Sequence, residues 1–342
     1  MIKISAVIAT RNRKDSLYRT LRAILNQTYK LEEVIIVDSS DEKLEEAELR
    51  NTFLGLNIKY FTSVPSVCLQ RNVGIQQSTS EYIFICDDDI ESEPGYVLAL
   101  SHFIENNGLN NAVSGLILEK NKNEVWISQH PPNTISGLLF KFVFQLSVWG
   151  ELDQKIFSSL WLKPVVSFYE KRGNGFSFAG WPVITNFNSP VFKTKIYGLG
   201  ASIIKKELLI NNPFDEVLDN YGIGDNYGIC IKLPDKVTVL TESLVFHHKE
   251  SENRLDSGIT YYRRVLALHY FLKKSNRFNS INTLWLIWSL IGSIILFVKN
   301  REFRLARASL ISIIKIITFN NPYHIGLKKN IKNVCPKFNG GH

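Results

Sequence analysis

Residues 3 to 9, KISAVIA, form a short and nearly continuous apolar run, the pattern of a strand buried on both faces of a parallel sheet. Polar TRNRKDS follows, and then Leu17, Leu21, Ile24 and Leu25 recur at helical spacing up to Asn26. The alternation repeats. EEVIIVD (32 to 38), NIKYFTS (57 to 63) and EYIFICD (81 to 87) read as further strands, a helix is predicted over 66 to 77, and Pro94 opens another helix at a position where a missing N–H costs nothing. Strands and helices in this rhythm predict a mostly parallel sheet with helices on both faces, an α/β nucleotide-binding architecture. After AVSGLILEK (112 to 120) the regularity lapses into a stretch, 121 to 197, rich in aromatics, Gly, Pro and Asn; within it only GLLFKFVFQLSVW (137 to 149) is apolar enough to predict a helix, buried or surface-seeking. From Tyr261 the pattern turns helical again, near 259 to 275, 281 to 299 and 301 to 318. The chain therefore divides into an α/β region, 1 to 250, with halves of about 1 to 120 and 121 to 250, and a helical region, 251 to 342.

Composition changes this picture little; charge changes it more. With 342 residues, 45% hydrophobic and 21% charged, the chain is ordinary globular protein, not a disordered, collagen-like or disulfide-scaffold one. Its formal +8 is uneven: residues 1 to 250 hold 25 basic and 29 acidic side chains (−4), and residues 251 to 342 hold 15 and 3 (+12). Such asymmetry suggests a basic surface meeting nucleic acid or membrane headgroups, a solvated tail being the plain alternative. Residues 281 to 298, INTLWLIWSLIGSIILFV, carry no charge; as a helix they would measure about 27 Å, slightly short of a bilayer's hydrocarbon core. This segment can span a membrane, lie along it, or be buried as a packing or oligomer helix. RLARASLISIIKIITF (304 to 319) then sets Arg304, Arg307 and Lys315 among apolar residues, an interfacial signature. Lys299, Arg301 and Arg304 flank the uncharged segment, and Trp285 and Trp288 stand near its start like interfacial anchors. A peripheral helical hairpin on the cytoplasmic face of the inner (plasma) membrane is the favoured reading. Nucleic acid is not expected, because the basic residues are interleaved with Leu and Ile rather than gathered beside stacking aromatics. Four cysteines without a C-x-x-C pair frame neither a zinc site nor a disulfide scaffold and fit a reducing compartment. The N-terminus reads as the first strand rather than a signal peptide.

Asp87-Asp88-Asp89 directly follows the apolar strand EYIFIC. In an open α/β sheet ligands bind beyond the carboxyl ends of the strands, so these carboxylates face the expected crevice. Adjacent carboxylates repel, and a divalent cation relieves them; Mg²⁺ or Mn²⁺, which takes one or two carboxylates plus phosphate oxygens, points to a nucleoside diphosphate. A helix cap or acidic turn is the competing reading. Asp38 ends the strand VIIVD one unit earlier, where an acidic residue can accept from a ribose or base edge. Thr10-Arg11, Asp38 and Asp87 to Asp89 are thus expected to line one crevice.

With these residues in view, the chain resembles family 2 glycosyltransferases of the GT-A fold. SAVIATRNRKDSLYRTLRAILNQTY is similar to the family's first strand and helix, VIIVDSSD to its base-binding strand, and LQRNVGIQQSTSEYIFICDDDIESEPGY to its Arg-Asn-x-Gly helix and D-x-D metal motif. YGLGASIIKKELL resembles the Gly-rich acceptor loop and GIGDNYGICIKL the catalytic segment, and the likeness covers most of residues 3 to 250. By that resemblance Ala9 and Arg11 flank the nucleotide base, Asp38 binds it, Arg71 lies near the nucleotide, Asp87 and Asp88 belong to the donor site, Asp89 is the principal ligand of Mn²⁺ or Mg²⁺, and Asp225 is the general base. His247 or His248 completes the metal site, since neutral imidazole binds Mn²⁺; spacing leaves open which one, although residues along a strand alternate faces. Lys249 and Arg254 are candidate cations for the diphosphate. For Asp225 a helix-capping role competes.

Two departures bear on function. Gly224 stands where the family usually has Glu before the catalytic Asp, and the Gln-x-x-Arg-Trp motif of processive members is absent, which implies single rather than repeated transfer. The expectation is a metal-dependent inverting enzyme that moves one sugar from a nucleoside-diphosphate sugar to a saccharide acceptor, lipid-linked, of a bacterial surface polysaccharide. A non-catalytic membrane scaffold is the alternative that Gly224 leaves open. A sugar nucleotidyltransferase is disfavoured, because ATRNRK has no glycine with which to cradle phosphates.

Overall fold

A computed structural model describes residues 2–108, 111–187, 189–249 and 255–338. Its first half follows the hydrophobic pattern closely. β1 (Ile4–Thr10), β2 (Glu33–Asp38), β3 (Ile58–Thr62) and β4 (Tyr82–Asp87) lie in the order β3-β2-β1-β4, all parallel. Alternate residues go to opposite faces: Val7, Ile35, Val37, Ile83 and Ile85 enter one core, and Ile4, Ala6, Ile8, Val34, Ile36 and Phe84 the other. That division explains why the strands read as continuous apolar runs. Helices α1 (Lys14–Leu25), α2 (Glu46–Thr52) and α3 (Val67–Gln77) connect them. Ser66 caps α3 by accepting from Leu69 N, and Gly74 lets the helix settle on β1, since a Cβ there would lie 2.5 Å from Val7 Cγ1.

Beyond β4 come β5 (Ile90–Ser92), α4 (Tyr96–Asn107), β6 (Ala112–Lys120) and β7 (Trp126–Ile127), and later β11 (Val191–Thr194), β12 (Ala201–Lys205), α8 (Lys206–Asn211), α9 (Asp225–Cys230) and β13 (Val237–His247). The full order is β11-β13-β6-β12-β4-β1-β2-β3. β12 runs antiparallel to both β4 and β6, whereas β13 is parallel to β6. The α/β class holds, and the parallel character is concentrated in the first four strands; β12 arrives from a long excursion instead of a β-α-β crossover, so nothing obliges it to run parallel.

That excursion has its own small core. α5 (Ile135–Val143), β8 (Val148–Trp149), α6 (Gln154–Phe157), α7 (Lys163–Arg172), β9 (Gly175–Phe176) and β10 (Pro182–Ile184) surround Leu138, Val148, Leu162, Val165, Tyr169 and Val183. The helix expected over 137 to 149 stops at Val143: Gln145 takes a left-handed φ of 53°, and Val148–Trp149 joins a three-stranded sheet.

The C-terminal helices are α10 (Ser257–Lys274), α11 (Ser280–Lys299), α12 (Phe303–Ile317) and α13 (Pro322–Lys328). Tyr262, Leu266, Ala267, Tyr270 and Phe271 of α10, Ala308 of α12 and Tyr323 of α13 belong to the same core as Val7 and Ile85. α11 is held from one side. Gly292 lies against the Phe144 ring, Trp181 Nε1 donates to Ser289 Oγ, and Trp285 stacks on Phe178.

Candidate functional site

A cleft of about 700 Å³ opens at the carboxyl ends of β1 and β4. Ala9, Thr10, Arg11, Arg71, Asp87, Asp88, Asp89, Asp225 and His247 all line it, so the structure gathers residues that span the α/β region. A larger depression, about 1210 Å³, lies in the excursion around Glu151, Asn174 and Phe192 and holds none of these groups.

Asp87 ends β4, Asp88 and Asp89 form the turn to β5, and none caps a helix, as α4 begins only at Tyr96. Asp88 and Asp89 share Arg13, whereas Asp87 pairs elsewhere. Asp87 pairs with Arg71 Nη2. Asp88 accepts from Thr10 Oγ1 (2.7 Å) and from Arg13 Nη1 (3.2 Å). Asp89 meets Arg13 Nη1 at 3.4 Å and His247 Nε2 at 3.2 Å. Burial, with Asp89 next to it, pushes the Asp88 carboxyl up to about 7, against the pull of Arg13.

Arg71 is the link across the cleft. Buried in α3, it gives Nη2 to Asp87 and Nη1 to Asp225, with its guanidinium 5.2 Å from the Phe214 ring centre. Burial works against its charge, but Asp225 and Asp87 hold its pKa above the ordinary value. Asp225 is the first residue of α9, whose N-cap is Gly224 without a side-chain cap bond, and it accepts from Asn226 N at 2.6 Å; the capping reading of Asp225 therefore does not hold. Burial lifts its carboxyl to about 6 despite Arg71, with Asp87 adding to the rise.

Two glycines fix this geometry. A Cβ on Gly200 would stand 1.9 Å from Asp87 Oδ2, while Asp87 N donates to Gly200 O at 2.8 Å, so the loop before β12 must present bare backbone. Gly224 has φ of +100°, and a Cβ there would lie 2.7 Å from Ala267 Cβ. A glutamate would be strained at this position, so the departure seen in the sequence belongs to how α9 meets α10.

The ambiguity between the histidines is resolved by the strand. His247 lines the cleft, with Nε2 toward Asp89 and Nδ1 3.0 Å from Glu119 Oε1. His248 points the other way, 3.1 Å from Glu91 and against Trp126. Burial disfavours charge on His247, but Asp89 and Glu119 raise its pKa to about 10; His247 and Lys249 together lower Glu119 to about 2 against its burial.

Two sequence expectations need correction. Asp38 does not line the cleft: it is fully buried, and its oxygens accept from Ser40 N (2.7 Å), Leu44 N (3.2 Å) and Tyr60 Oη (2.7 Å). It shapes the loop after β2 instead. Lys249 is spent on Glu119, at 2.6 Å. Arg254 lies outside the described residues. Arg11 lines the cleft while pairing with Asp41 at 3.3 Å. Residues the sequence reading missed are Arg13, whose place just past β1 was a usable signal, and Glu119, whose register opposite His247 was not visible before the strands paired.

Among the described residues no three metal-ligating side chains converge. The donor set still fits a hard divalent cation that draws its other ligands from phosphate and water: Asp89 and His247 Nε2 adjoin, and Glu119 on Nδ1 is the kind of second partner that orients a ligating histidine.

The glycosyl transferase family 2 model matches residues 5–154. Over 96 residues the chain is 34% identical to the poly(ribitol-phosphate) beta-N-acetylglucosaminyltransferase TarP of Staphylococcus aureus, covering 26% of this chain and 29% of that protein. Over 138 residues it is 27% identical to the glucosyl-dolichyl phosphate glucuronosyltransferase of Haloferax volcanii, covering 38% and 41%. The chain thus spans well under half the length of these relatives. A crystal structure of GalNAc-T7 with UDP, GalNAc and Mn²⁺ superposes with a TM-score of 0.56 at 16% identity, covering 94% of this chain and 58% of that one. The likeness shows the fold, the α/β GT-A architecture.

Proposed function

We propose that this chain, whose residues 5–154 match the glycosyl transferase family 2 model, transfers a single sugar from a nucleoside-diphosphate sugar to an acceptor hydroxyl with inversion. The observation that carries this reading is the placement of Asp225 across the cleft from the Asp87–Asp89 turn, with Arg71 bridging the two. A carboxylate opposite the leaving group suffices for one inverting displacement. Asp225, raised to about 6 by burial, suits a base that accepts the acceptor's proton near neutrality. Arg71 and Arg13 bring positive charge to the side where diphosphate negative charge would grow. Ala9 and Arg11 would flank the base of the nucleotide, and Asp87 and Asp88 would complete the donor side. A divalent cation, Mn²⁺ or Mg²⁺, on Asp89 and His247 would supply further neutralisation of the leaving diphosphate; the Mn²⁺ and UDP in the GalNAc-T7 structure support this.

The acceptor on this reading is lipid-linked, and the enzyme works at the cytoplasmic face of a membrane as part of surface-polysaccharide synthesis. Ser280–Lys299 has mean hydropathy 2.0 and is only 28% buried. Its exposed positions from 281 to 298 are Ile281, Leu284, Trp288, Ile291, Ile295 and Val298, an apolar stripe at spacings of three and four. Exposed Lys299, Arg301, Arg304 and Arg307 adjoin it, as cations meeting anionic headgroups would. One face being committed to Phe144 and Trp181, the helix is suited to lie in the interface rather than cross it. The dolichyl-phosphate acceptor in one relative's name and the free cysteines agree with this placement.

A nucleotide-sugar panel followed by thermal shift identifies the donor, and metal-dependent release of nucleoside diphosphate tests turnover. Asp225→Asn should keep donor binding yet lose transfer by 10²-fold or more. Pyrophosphate release from a triphosphate would instead mark a nucleotidyltransferase, and donor binding without release under any acceptor would mark a scaffold.

A further inference from the structure

The cleft is lined by four arginines, Arg11, Arg13, Arg71 and Arg264. The first three are held by carboxylates: Arg11 by Asp41, Arg13 by Asp88 and Asp89, Arg71 by Asp87 and Asp225. Arg264 differs. Among the described residues it has no ion pair or hydrogen bond, it keeps solvent contact, and it comes from α10 in the helical region rather than from the α/β sheet.

Its position is set by the helix. Ser257, Thr260, Tyr261 and Arg264 all line the cleft, at offsets of three, four and seven that place them on one face of α10. One turn further, Ala267 abuts Gly224, the residue before Asp225. Glu119 acts on Arg264 electrostatically, and Glu119 is also the partner of His247. Arg264 thus lines the same cleft as His247, Asp89 and Asp225. The side chain is exposed to solvent, and desolvation by the protein around it lowers its pKa, with Glu119 and Tyr261 acting in the opposite sense. An arginine with no ion pair among the described residues, in a cleft whose carboxylates hold Arg13 and Arg71, is a cation available to an incoming anion.

We propose that Arg264 binds the diphosphate of the nucleotide donor and stabilises the charge that develops on the leaving group. This rests on the reading of the chain as a sugar-nucleotide transferase and deepens it by assigning a substrate contact to the C-terminal helices. A planar guanidinium can hold two phosphate oxygens with two parallel N–H bonds, a fixed geometry that a lysine ammonium does not impose.

The test is calorimetric titration of the full-length protein with UDP, GDP, UMP and GMP in Mn²⁺, for the native chain and for Arg264→Gln and Arg264→Lys. Because the side chain has no ion pair or hydrogen bond among the described residues, both variants should melt within about a degree of the native chain. The expected result is a tenfold or larger loss of diphosphate affinity in Arg264→Gln, partial recovery in Arg264→Lys, and unchanged monophosphate affinity. Equal losses for mono- and diphosphates, or no loss, would overturn the assignment while leaving sugar transfer intact. A phosphate on a lipid acceptor is the other source of this chemistry: if donor diphosphate binding is untouched and only the KM for the lipid-linked acceptor rises, the assignment to the donor fails. A native chain that binds no nucleoside diphosphate would overturn both this inference and the transferase reading.

Discussion

At the scale of single residues, two glycines have opposite meanings. Gly200 is needed because the Asp87 carboxylate lies where its Cβ would be, 1.9 Å from Oδ2. Gly200→Ala should push Asp87 off Arg71, lowering donor affinity at least tenfold and stability by about 1–3 kcal/mol; isothermal titration with the preferred nucleotide sugar checks it, and an unaltered dissociation constant would count against this account. Gly224, by contrast, reads in the sequence as a lost carboxylate, yet its φ of +100° and the contact with Ala267 show a backbone requirement. Asp38 carries the same lesson. A carboxylate at a strand end is legible, but whether its oxygens face a ligand or its own loop depended on Tyr60, 22 residues away. His247 and His248 were indistinguishable by spacing until β13 paired with β6 and set His247 opposite Glu119.

Among the elements, β1 to β4 and α3 fall within a residue or two of their expected limits, since unbroken apolar runs and a Ser cap are strong local signals. The excursion from 121 to 197 was opaque for a physical reason: its strands are two to four residues long, too short for a period to declare itself. For α11 the sequence left three placements open, and the structure narrows them by burying Leu286, Ser289, Leu290, Gly292 and Ser293 while leaving the opposite stripe apolar and exposed. Burying one such side chain contributes about 2 kcal/mol. Ile291→Glu and Ile295→Glu should therefore each weaken binding to anionic vesicles by roughly tenfold or more, without lowering the melting temperature. Sedimentation with vesicles reads the effect, and undiminished binding would remove this face from membrane contact.

For the molecule as a whole, the C-terminal helices do more than provide a surface. Asp219, fully buried, accepts from Tyr323 Oη at 2.8 Å and faces Arg263 Nη1 at 3.4 Å, and its own backbone and side chain close the turn that leads to Asp225. Tyr323→Phe should cost about 1–3 kcal/mol by leaving Asp219 short of a donor, visible as a lower melting temperature together with reduced transfer at unchanged donor affinity. If only stability changes, α13 does not govern the base.

What the sequence by itself determined is the part written in local periodicity and in motifs at strand ends: four parallel strands, the helices between them, the Asp87–Asp89 turn, Asp225, and the uneven charge. Each depends on neighbours within a few residues, so the chain order displays it. Tertiary structure alone decided which side chains share the cleft, because Arg71 meets Asp225 across 154 positions of sequence and Arg264 reaches the same space from a helix beyond the α/β region. Such pairings follow from how β12, β13 and α10 pack on the sheet, and packing over that separation leaves no period in the sequence to read.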